Sequence, residues 1–334
     1  MITSIEITRL RGIREGKLAD LTPLVVLVGP NGCGKSTILD AMLIGASREV
    51  ARNIGRAVSR HPGVRQGVRW LFWRLGTHGA PQIKIATNGK HERSCELSST
   101  EPPERGHCDV RCKIDIGDGA KVHSANVRFP VSGKFGVLGE PPCHWPVDEF
   151  PGVRIIEAHR EDPERPLHDL LTETIEQGVF DHAMVITAQV VPDVKDIRIL
   201  TEGENPIVQL VYDDHSVPVA LSGDGVYSLL RVSLILATYP QGTVLIEEPE
   251  VHQHPGAIRQ SVRAILAAVR REIQVVITTH SIELIDAILA ESSDEDLEKL
   301  SLYRLQLENG SLISHRLPGA EVAFSRTEVE KDLR

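Results

Sequence analysis

An eight-residue run near the amino terminus restricts the fold of this chain more than any other feature. Residues 29–36 read Gly-Pro-Asn-Gly-Cys-Gly-Lys-Ser; they follow an apolar stretch, Leu24–Val28, and precede a stretch of helical character at residues 37–46. A strand, a glycine-rich loop ending in Gly-Lys-Ser and a helix are the three parts of a phosphate-binding P-loop. The context of the run therefore predicts a P-loop rather than a glycine-rich turn with a chance Gly-Lys-Ser.

The glycine spacing has a physical reason. Backbone at glycine can turn successive N–H groups inward to bind an anion, and the positive end of the following helix favours the same charge. Lys35 is long enough to reach the β- and γ-phosphates, and the Ser36 hydroxyl is placed to bind Mg²⁺. The residues expected to bind the nucleotide in this loop are Asn31, Gly32, Cys33, Gly34, Lys35, Ser36 and Thr37.

A second apolar stretch ends in carboxylates, since residues 244–250 read Val-Leu-Ile-Glu-Glu-Pro-Glu. Buried strands of α/β sheets deliver polar groups to ligands at their carboxyl ends. Glu247 is expected to bind Mg²⁺, and Glu248 to orient or deprotonate the attacking water. The alternative is a solvated acidic turn, but Pro249 and the P-loop elsewhere in the chain favour the catalytic interpretation. Together the two motifs predict a nucleoside triphosphatase.

A third strand, Gln274–Thr278, places a histidine at its carboxyl end. His280 is expected to sense the γ-phosphate and to stabilise the charge that develops on it. A lone histidine at a strand end is more often a hydrogen-bonded structural residue. The order of P-loop, double glutamate and histidine favours the catalytic role.

These motifs resemble the ABC-type ATPase heads of structural maintenance of chromosomes (SMC) proteins, RecF-like repair ATPases and the overcoming-lysogenisation-defect (OLD) family. The segment from Ile2 to Arg14 resembles the first hairpin of those heads, and residues 247–255 are similar to the acidic strand and loop of the OLD-like group. The resemblance implies an α/β P-loop NTPase with ATP and Mg²⁺ as cofactors. It also implies a mixed core sheet, an antiparallel β-subdomain and a helical signature lobe. No heptad pattern is sustained, so the long coiled coil of SMC proteins is not expected.

The resemblance further implies a signature segment, for which residues 221–225, Leu-Ser-Gly-Asp-Gly, are the candidate. In these families the serine and glycine bind the nucleotide of the opposite subunit, which assigns Ser222 and Gly223 as ATP-binding residues. The amino terminus of the following helix favours an anion. A homodimer with two ATP molecules between facing heads is therefore expected. Without the resemblance, the segment would be an ordinary helix-capping turn.

The chain also departs from the family pattern. ABC heads usually carry aspartate where Glu247 stands, and they carry a glutamine after a mid-chain strand, where this chain has Ala158, His159 and Arg160. Gln177 is too far along an expected helix to replace that glutamine. The first aromatic residue is Trp70, which argues against the transporter branch, whose members stack adenine on an upstream aromatic ring. Arg11 or Arg14 could instead contact the base, or both could be surface arginines.

Composition is that of a globular protein: 334 residues, 41% apolar and 25% charged. Such a chain needs no disulfides, and neither a membrane-spanning run nor a signal peptide is evident, so a cytoplasmic protein is expected. The odd number of cysteines suggests reduced thiols. A zinc site is a weaker alternative, because the candidate ligands do not have the spacing of a zinc finger. Those candidates are His107, Cys108, Cys112, Cys143 and His144.

The chain is expected to form one ATPase domain, residues 1–334, with four parts. These are the P-loop part (1–47), a basic helix with hairpins and loops (48–152), the helical signature lobe (153–240) and the acidic strand with the histidine (241–334). Hairpins are predicted around residues 88–89 and 117–119, and one helical stretch over residues 167–189. The acids at 294–296 are expected in a solvated loop.

Net charge is −9, yet seven arginines fall between residues 48 and 74 with only one acid. Those at every fourth position, Arg48, Arg52, Arg56 and Arg60, are expected to share one helical face. Nucleic-acid backbone is one candidate ligand. The alternatives are a solvated face paired with the protein's own acids, or an acidic protein partner.

Two functions follow from the motifs. The first is a dimeric ATPase that regulates a separate effector or nucleic-acid processing, in repair or antiviral defence. About fifty residues follow His280, which are too few for the Toprim nuclease domain of OLD enzymes. If the task includes cutting nucleic acid, the nuclease is therefore a separate polypeptide, and the effector could be that nuclease. The alternative is the nucleotide-binding subunit of an ABC transporter. The first function is favoured because the chain lacks the upstream aromatic residue and the mid-chain glutamine.

Overall fold

Short apolar runs bounded by turn residues become the strands of this chain. The computed structural model describes residues 1–60, 67–76, 79–88, 92–99, 107–116, 121–130, 138–139, 152–157, 165–329 and 332–333. In those residues the strands are β1 Ile2–Leu10, β2 Ile13–Leu18, β3 Leu24–Val28, β4 Gln82–Thr87, β5 Glu92–Ser99, β6 His107–Ile116, β7 Lys121–Pro130, β8 Leu138–Gly139, β9 Val153–Glu157, β10 Asp196–Glu202, β11 Asn205–Val211, β12 Ser216–Pro218, β13 Thr243–Glu247, β14 Gln274–Thr278, β15 Leu300–Glu308 and β16 Ser311–Pro318.

The α-helices of the described residues carry apolar faces that pack against these strands or against one another. They are α1 Lys35–Gly45, α2 Val50–Ser59, α3 Leu167–Glu176, α4 Phe180–Ala188, α5 Asp224–Thr238, α6 Pro255–Arg270, α7 Ile282–Glu291, α8 Asp294–Glu298 and α9 Gly319–Thr327. None of the described helices is both long enough and apolar enough to span a membrane.

The chain folds into two compact units, of which the first comprises residues 1–22, 29–154 and 303–316. Its strands lie in the order β8-β7-β6-β5-β4-β1-β2-β16-β15. The pairings from β8 to β2 are antiparallel, whereas β16 pairs with β2 in parallel. The end of α1 lies close to this sheet, because a Cβ on Gly45 would come within 2.7 Å of Ile83 and Ile85.

The second unit comprises residues 23–28, 155–302 and 317–334. Its strands lie in the order β3-β14-β13-β9, and β3 and β13 each pair in parallel with β14. A separate antiparallel sheet contains β10, β11 and β12. Helices α3, α4 and α6 pack against α5, which is buried along most of its length. The predicted α/β architecture, with mixed and antiparallel sheets, is confirmed.

The prediction of one helix over residues 167–189 is wrong. The chain forms α3 and α4 instead, and Gly178 between them has a φ of +70°, which lies outside the helical region. Gln177 caps the carboxyl end of α3 and is exposed. The break turns α4 to pack against α5 as a separate element.

The prediction that residues 294–296 form a solvated loop is also wrong. They begin α8, where the Ser293 and Asp296 side chains make a reciprocal capping box. Asp296 is 2% exposed and accepts hydrogen bonds from Arg270 at 2.6 and 3.1 Å. The Arg270 guanidinium is the largest contribution that lowers the pKa of Asp296, to about 2.

Candidate functional site

The predicted P-loop adopts a backbone that only glycine accommodates easily. Gly29 and Gly34 have φ values of +144° and +98°. A Cβ on Gly29 would lie 2.4 Å from the Leu305 carbonyl oxygen, so a side chain there would collide with β15. Gly34 lies directly before α1, whose first residue is Lys35. The loop is thus a glycine cradle leading into a helix amino terminus, which suits an anion.

Lys35 is turned back into this cradle. Its ammonium donates hydrogen bonds to the carbonyl oxygens of Gly29 (2.9 Å) and Pro30 (3.2 Å), and the side chain is 6% exposed. Cys33 is buried, with its sulfur 3.8 Å from the same ammonium. A buried ammonium that donates to backbone carbonyl oxygens is well suited to exchange them for phosphate oxygens. The loop therefore fits a nucleoside triphosphate.

The remaining predicted P-loop residues surround the cradle. Asn31 and Gly32 are exposed, Ser36 is partly exposed and Thr37 is buried in the first turn of α1. The hydroxyl of Ser36 is the kind of hard oxygen ligand that Mg²⁺ prefers. Its assignment to the metal stays a prediction.

In the second unit, three strands end in register. Leu27 of β3 is paired with Thr278 of β14, and Thr278 is paired with Glu247 of β13. Gly29, the first residue of the P-loop, follows Leu27 by two positions in the chain. The sheet therefore brings the predicted acidic pair and histidine to the strand edge at which α/β folds bind ligands.

Glu248 and His280 meet at this edge. The Glu248 carboxylate lies 3.6 Å from His280 Nε2, and both side chains are about one-third exposed. Glu248 has a φ of +45°, an uncommon value for a residue with a side chain, and its N–H donates to the Thr278 carbonyl at 3.0 Å. Backbone strain held by a strand hydrogen bond is typical of functional sites. A carboxylate and an imidazole at this distance can move a proton between them and a bound water.

Glu250 fastens the two strand ends to each other. Its Oε1 accepts hydrogen bonds from the Thr279 hydroxyl and, at 3.3 Å, from the His280 backbone N–H. Burial raises the pKa of the Glu250 carboxyl above its usual value, while the Thr279 hydrogen bond opposes that shift. Its Oε2 is buried with no hydrogen-bond partner among the described residues. We infer that Glu250 positions His280 relative to Glu248.

Replacing Glu250 by alanine is expected to release the loop that carries His280. Loss of a charged hydrogen-bond acceptor should make amide exchange at residues 274–284 roughly tenfold faster or more. Glu250→Gln retains an oxygen acceptor and should keep most of the protection. The measurement is hydrogen exchange by mass spectrometry without nucleotide, with Glu272→Ala, an exposed carboxylate before β14, as the control. Exchange equal to wild type in Glu250→Ala would show that the carboxylate does not hold this loop.

The predicted signature segment lies at an exposed helix amino terminus. Ser222 donates to the Pro218 carbonyl at 3.2 Å, and Gly223 is exposed with a φ of +94°. A Cβ on Gly225 would lie 2.6 Å from the His252 carbonyl oxygen, so only glycine allows α5 to approach the loop after Glu248 this closely. A shift of that loop towards α5 would therefore displace the start of the helix.

A glutamine strengthens the link between this loop and the helices. Gln253 donates to Ser228 of α5 at 3.2 Å and accepts from Ser261 of α6 at 2.9 Å. The segment from the acidic pair to Gln253 is thereby fastened to α5 and α6. The predicted roles of Ser222 and Gly223 in ATP binding stay predictions.

The zinc alternative gains no support from the described part of the chain, where no group of three or more His, Cys, Asp or Glu could hold a metal. Cys112 is buried on β6. The side chains of His107 and Cys108, and the residues Cys143 and His144, lie outside the described residues. The predicted departure from the family glutamine, at Ala158, His159 and Arg160, also lies outside them.

The four-arginine face is corrected by the structure. Arg60 is 3% exposed and donates to Asp40 at 2.7 Å, so it is not available to a ligand. Arg48 precedes α2 and is exposed, Arg52 pairs with Glu49 at 2.9 Å, and Arg56 is partly buried. The prediction from the four-residue spacing is wrong for Arg60, because the carboxyl end of α2 lies near α1 and Arg60 pairs there with the buried Asp40.

Arg11 belongs to the same buried group. Its Nε lies 2.8 Å from Asp40, and its guanidinium also donates to the Ala57 carbonyl at 2.7 Å. Asp40 is fully buried, so a single carboxylate is held between two arginines. The description of Arg11 as a surface arginine is wrong. Arg14 is exposed and bonds Glu15 and Ser311.

Comparison with known proteins agrees with this geometry. A family model described as an AAA domain matches residues 4–122, and one described as an AAA ATPase domain matches residues 165–285. A crystal structure of an SMC head bound to the C-winged helix domain of ScpA superimposes with a TM-score of 0.52 and 13% identity. The alignment covers 95% of this chain and 97% of that one, which shows a shared fold. The chain has the fold of an SMC-type ATPase head, and AAA family models match both of these segments. ATP binding and hydrolysis are the activities that this family indicates.

Two further matches were found for this ATPase head. The SMC head domain from Thermotoga maritima aligns with a TM-score of 0.48 and 13% identity, over 95% of this chain and 98% of that one. The uncharacterized protein MJECL11 of Methanocaldococcus jannaschii is 31% identical over 113 residues, which are 34% of this chain and 98% of that protein. This chain and MJECL11 therefore belong to one family.

Glu250, Gln253 and Gly225 were not predicted as site residues. Glu250 stands in the acidic run itself, and a carboxylate directly after a Pro in such a run was the signal available. Its partner Thr279 is 29 residues away in sequence, so only the pairing of β13 with β14 reveals the contact.

Proposed function

We propose that this head binds ATP with Mg²⁺, closes with a second copy of itself around two ATP molecules, and reopens after hydrolysis to control a separate effector. Binding energy from the nucleotide favours the closed dimer, and release of product removes that preference. The head would then act as a switch in the cytoplasm. Repair or antiviral defence is the setting that we favour.

The observation that carries the proposal is the pair formed by Glu248 and His280, 3.6 Å apart at the carboxyl ends of adjacent parallel strands. We assign Glu248 as the base that orients or deprotonates the attacking water. His280 donates a hydrogen bond towards the γ-phosphate, and Lys35 binds the β- and γ-phosphates. Ser36 and Glu247 would hold Mg²⁺, which neutralises phosphate charge when bound.

The dimer is supported by the exposed start of α5. Ser222 and Gly223 lie at the amino terminus of a 15-residue helix, where the backbone favours an anion, and neighbouring Leu221 is 77% exposed. We propose that this helix terminus binds the phosphates of the ATP that is bound to the other copy. A two-fold arrangement makes the two sites equivalent.

A protein effector is the partner that we favour over nucleic acid. The similar SMC head was crystallised with a domain of ScpA, a separate protein, so a head of this fold can carry one. Nucleic acid stays a second proposal, restricted to Arg48, Arg52 and Arg56 because Arg60 is buried.

The test is the mass in solution of three proteins in Mg-ATP. Glu248→Gln should form a stable dimer because it binds ATP and hydrolyses it slowly. Lys35→Ala should stay monomeric because it lacks the cation that binds the phosphates. Wild type should pass through the dimer only while ATP lasts.

The nucleotide control is Glu248→Gln in ADP, which is expected to be monomeric. Equal masses for all three proteins in Mg-ATP would contradict the ATP-dependent dimer and leave only the ATPase activity of the family.

A further inference from the structure

An apolar groove lies in the second unit and is lined by side chains of three helices. It has a volume of about 680 Å³ and is bounded by α4, by the end of α5 and by α6. The apolar lining includes Val179, Val185, Ile186, Leu236, Ala264 and Ala267. Val185 is 58% exposed, and Ala267 on the floor is exposed as well. Contiguous apolar surface in a concave site is typical of a binding surface.

The rim of the groove carries outward-facing positive charge. Arg263 pairs with Glu291, yet the arginine side chain is 47% exposed and the glutamate only 19%. Arg270 pairs with Asp296, with exposures of 52% and 2%. The carboxylates are covered while the guanidinium groups face the solvent, so an approaching partner meets the cations first.

A third arginine on the rim is bound to neutral groups. Arg271 donates to the carbonyl oxygens of Leu236 and Ala237 at the end of α5. His182 and one acid, Asp181, also line the groove. In a chain of net charge −9, a basic rim around an apolar floor is a local exception. It complements a ligand that is apolar on one face and acidic at its edges.

We propose that this groove binds an amphipathic helix of the effector protein, with apolar residues on one face and aspartate or glutamate on both flanks. The walls are helices, whose backbone groups are bonded internally, so they offer no strand edge to an extended peptide. A helix that places residues i, i+3, i+4 and i+7 in the groove uses the floor and the rim together. The groove is lined by α4, α5 and α6 with the residues that flank α4 and α6, and none of the predicted ATP-binding residues lines it. We therefore expect binding there without ATP, whereas the role of the partner rests on the proposed function.

The test uses a set of fluorescein-labelled peptides of about 18 residues, roughly five helical turns. Their apolar face varies over Leu, Ile, Phe and Met, and their other positions are Asp and Glu. A matched set carries Lys and Arg in those positions. Anisotropy should show saturable binding of acidic peptides, weakening between about 50 and 500 mM salt as charges are screened. Basic peptides should not bind.

Two substitutions of exposed residues should weaken acidic-peptide binding by about tenfold or more. Ala267→Trp fills the floor, and Val185→Asp places an acid on the apolar wall. Arg259→Glu, an exposed charge change on α6 outside the groove, should bind the peptides as wild type does. All three variants should keep the wild-type ATPase rate, which separates this proposal from failure of the ATPase.

Four results of the peptide assay would overturn the proposal: no acidic peptide binds, basic peptides bind equally well, neither groove variant weakens binding, or Arg259→Glu weakens it as much. Sedimentation without nucleotide tests the other possible occupant, a second copy of this chain. If wild type forms a dimer that Ala267→Trp abolishes, a second copy occupies the groove and the effector helix is excluded from it.

Discussion

Glu248→Gln is expected to hydrolyse ATP roughly 10²- to 10⁴-fold more slowly than wild type while binding it with similar affinity. Glutamine keeps the size of the side chain and can hydrogen-bond the attacking water, but it cannot accept the proton of that water. The backbone hydrogen bond from Glu248 to Thr278 does not depend on the side-chain charge, so the local backbone geometry should persist. Phosphate release measures turnover, and a fluorescent ATP analogue measures binding.

The matched control for this variant is Glu272→Gln. Glu272 is exposed between α6 and β14, away from the strand end that carries His280, and its variant should turn over at the wild-type rate. A decrease of less than about tenfold in Glu248→Gln would be too small for the loss of a general base. Glu248 would then be a structural residue, and another group would activate the water.

Asp40→Asn should destabilise the first unit by roughly 3–5 kcal/mol, because it removes the buried carboxylate that pairs with the buried Arg60 and the mostly buried Arg11. Asp40 is fully buried and lies 2.8 Å from Arg11 and 2.7 Å from Arg60. An amide supplies one oxygen acceptor and no negative charge. Denaturant unfolding followed by circular dichroism measures the effect, with a separate transition fitted for each unit if two are seen.

An exposed ion pair of the same unit is the control for Asp40→Asn. Glu49 pairs with Arg52 at 2.9 Å, and both side chains are about half exposed or more. Glu49→Gln should cost less than about 1 kcal/mol, since solvent screens such pairs. Similar losses in the two variants would mean that the buried group adds no more than a surface pair. The comparison isolates burial, because both substitutions turn an acid into its amide.

The parts of the fold that sequence predicted correctly are those decided by local chemistry. The strands Leu24–Val28 and Gln274–Thr278 were predicted with the bounds that the structure shows. Each is a short apolar or alternating run next to turn residues, and such runs bury one or both faces in a sheet. The signal for the P-loop glycines and lysine is equally local, because the backbone conformation of the loop depends on neighbouring residues.

The errors come from contacts between residues distant in sequence. The spacing of Arg60 from Arg56 indicates a shared helical face, but the spacing does not reveal that Asp40 lies beside the end of α2. Asp296 looks solvated next to two other acids until α6 brings Arg270 to it. In both cases a partner that is distant in sequence pairs with a charge expected at the surface, and that charge is buried.

One missed element had a usable signal. Asn309 and Gly310 form the turn between β15 and β16, with φ values of +51° and +86°. Asn-Gly between alternating apolar residues is a strong hairpin pattern. The break at Gly178 was also readable as a helix end, since glycine often follows the last helical turn. By contrast, the positive φ of Glu248 has no signal in its residue type.

Neither unit of this protein is a continuous stretch of chain, and this has a consequence for its synthesis. The strand β3 before the P-loop emerges early from the ribosome, yet its partner β14 follows some 250 residues later in the numbering. The first unit likewise waits for residues 303–316. At roughly 5–20 residues per second, β3 must remain unpaired with β14 for about ten seconds or longer. A P-loop supported by that strand cannot mature before β14 is made, so a product truncated earlier would be inactive and vulnerable to proteases.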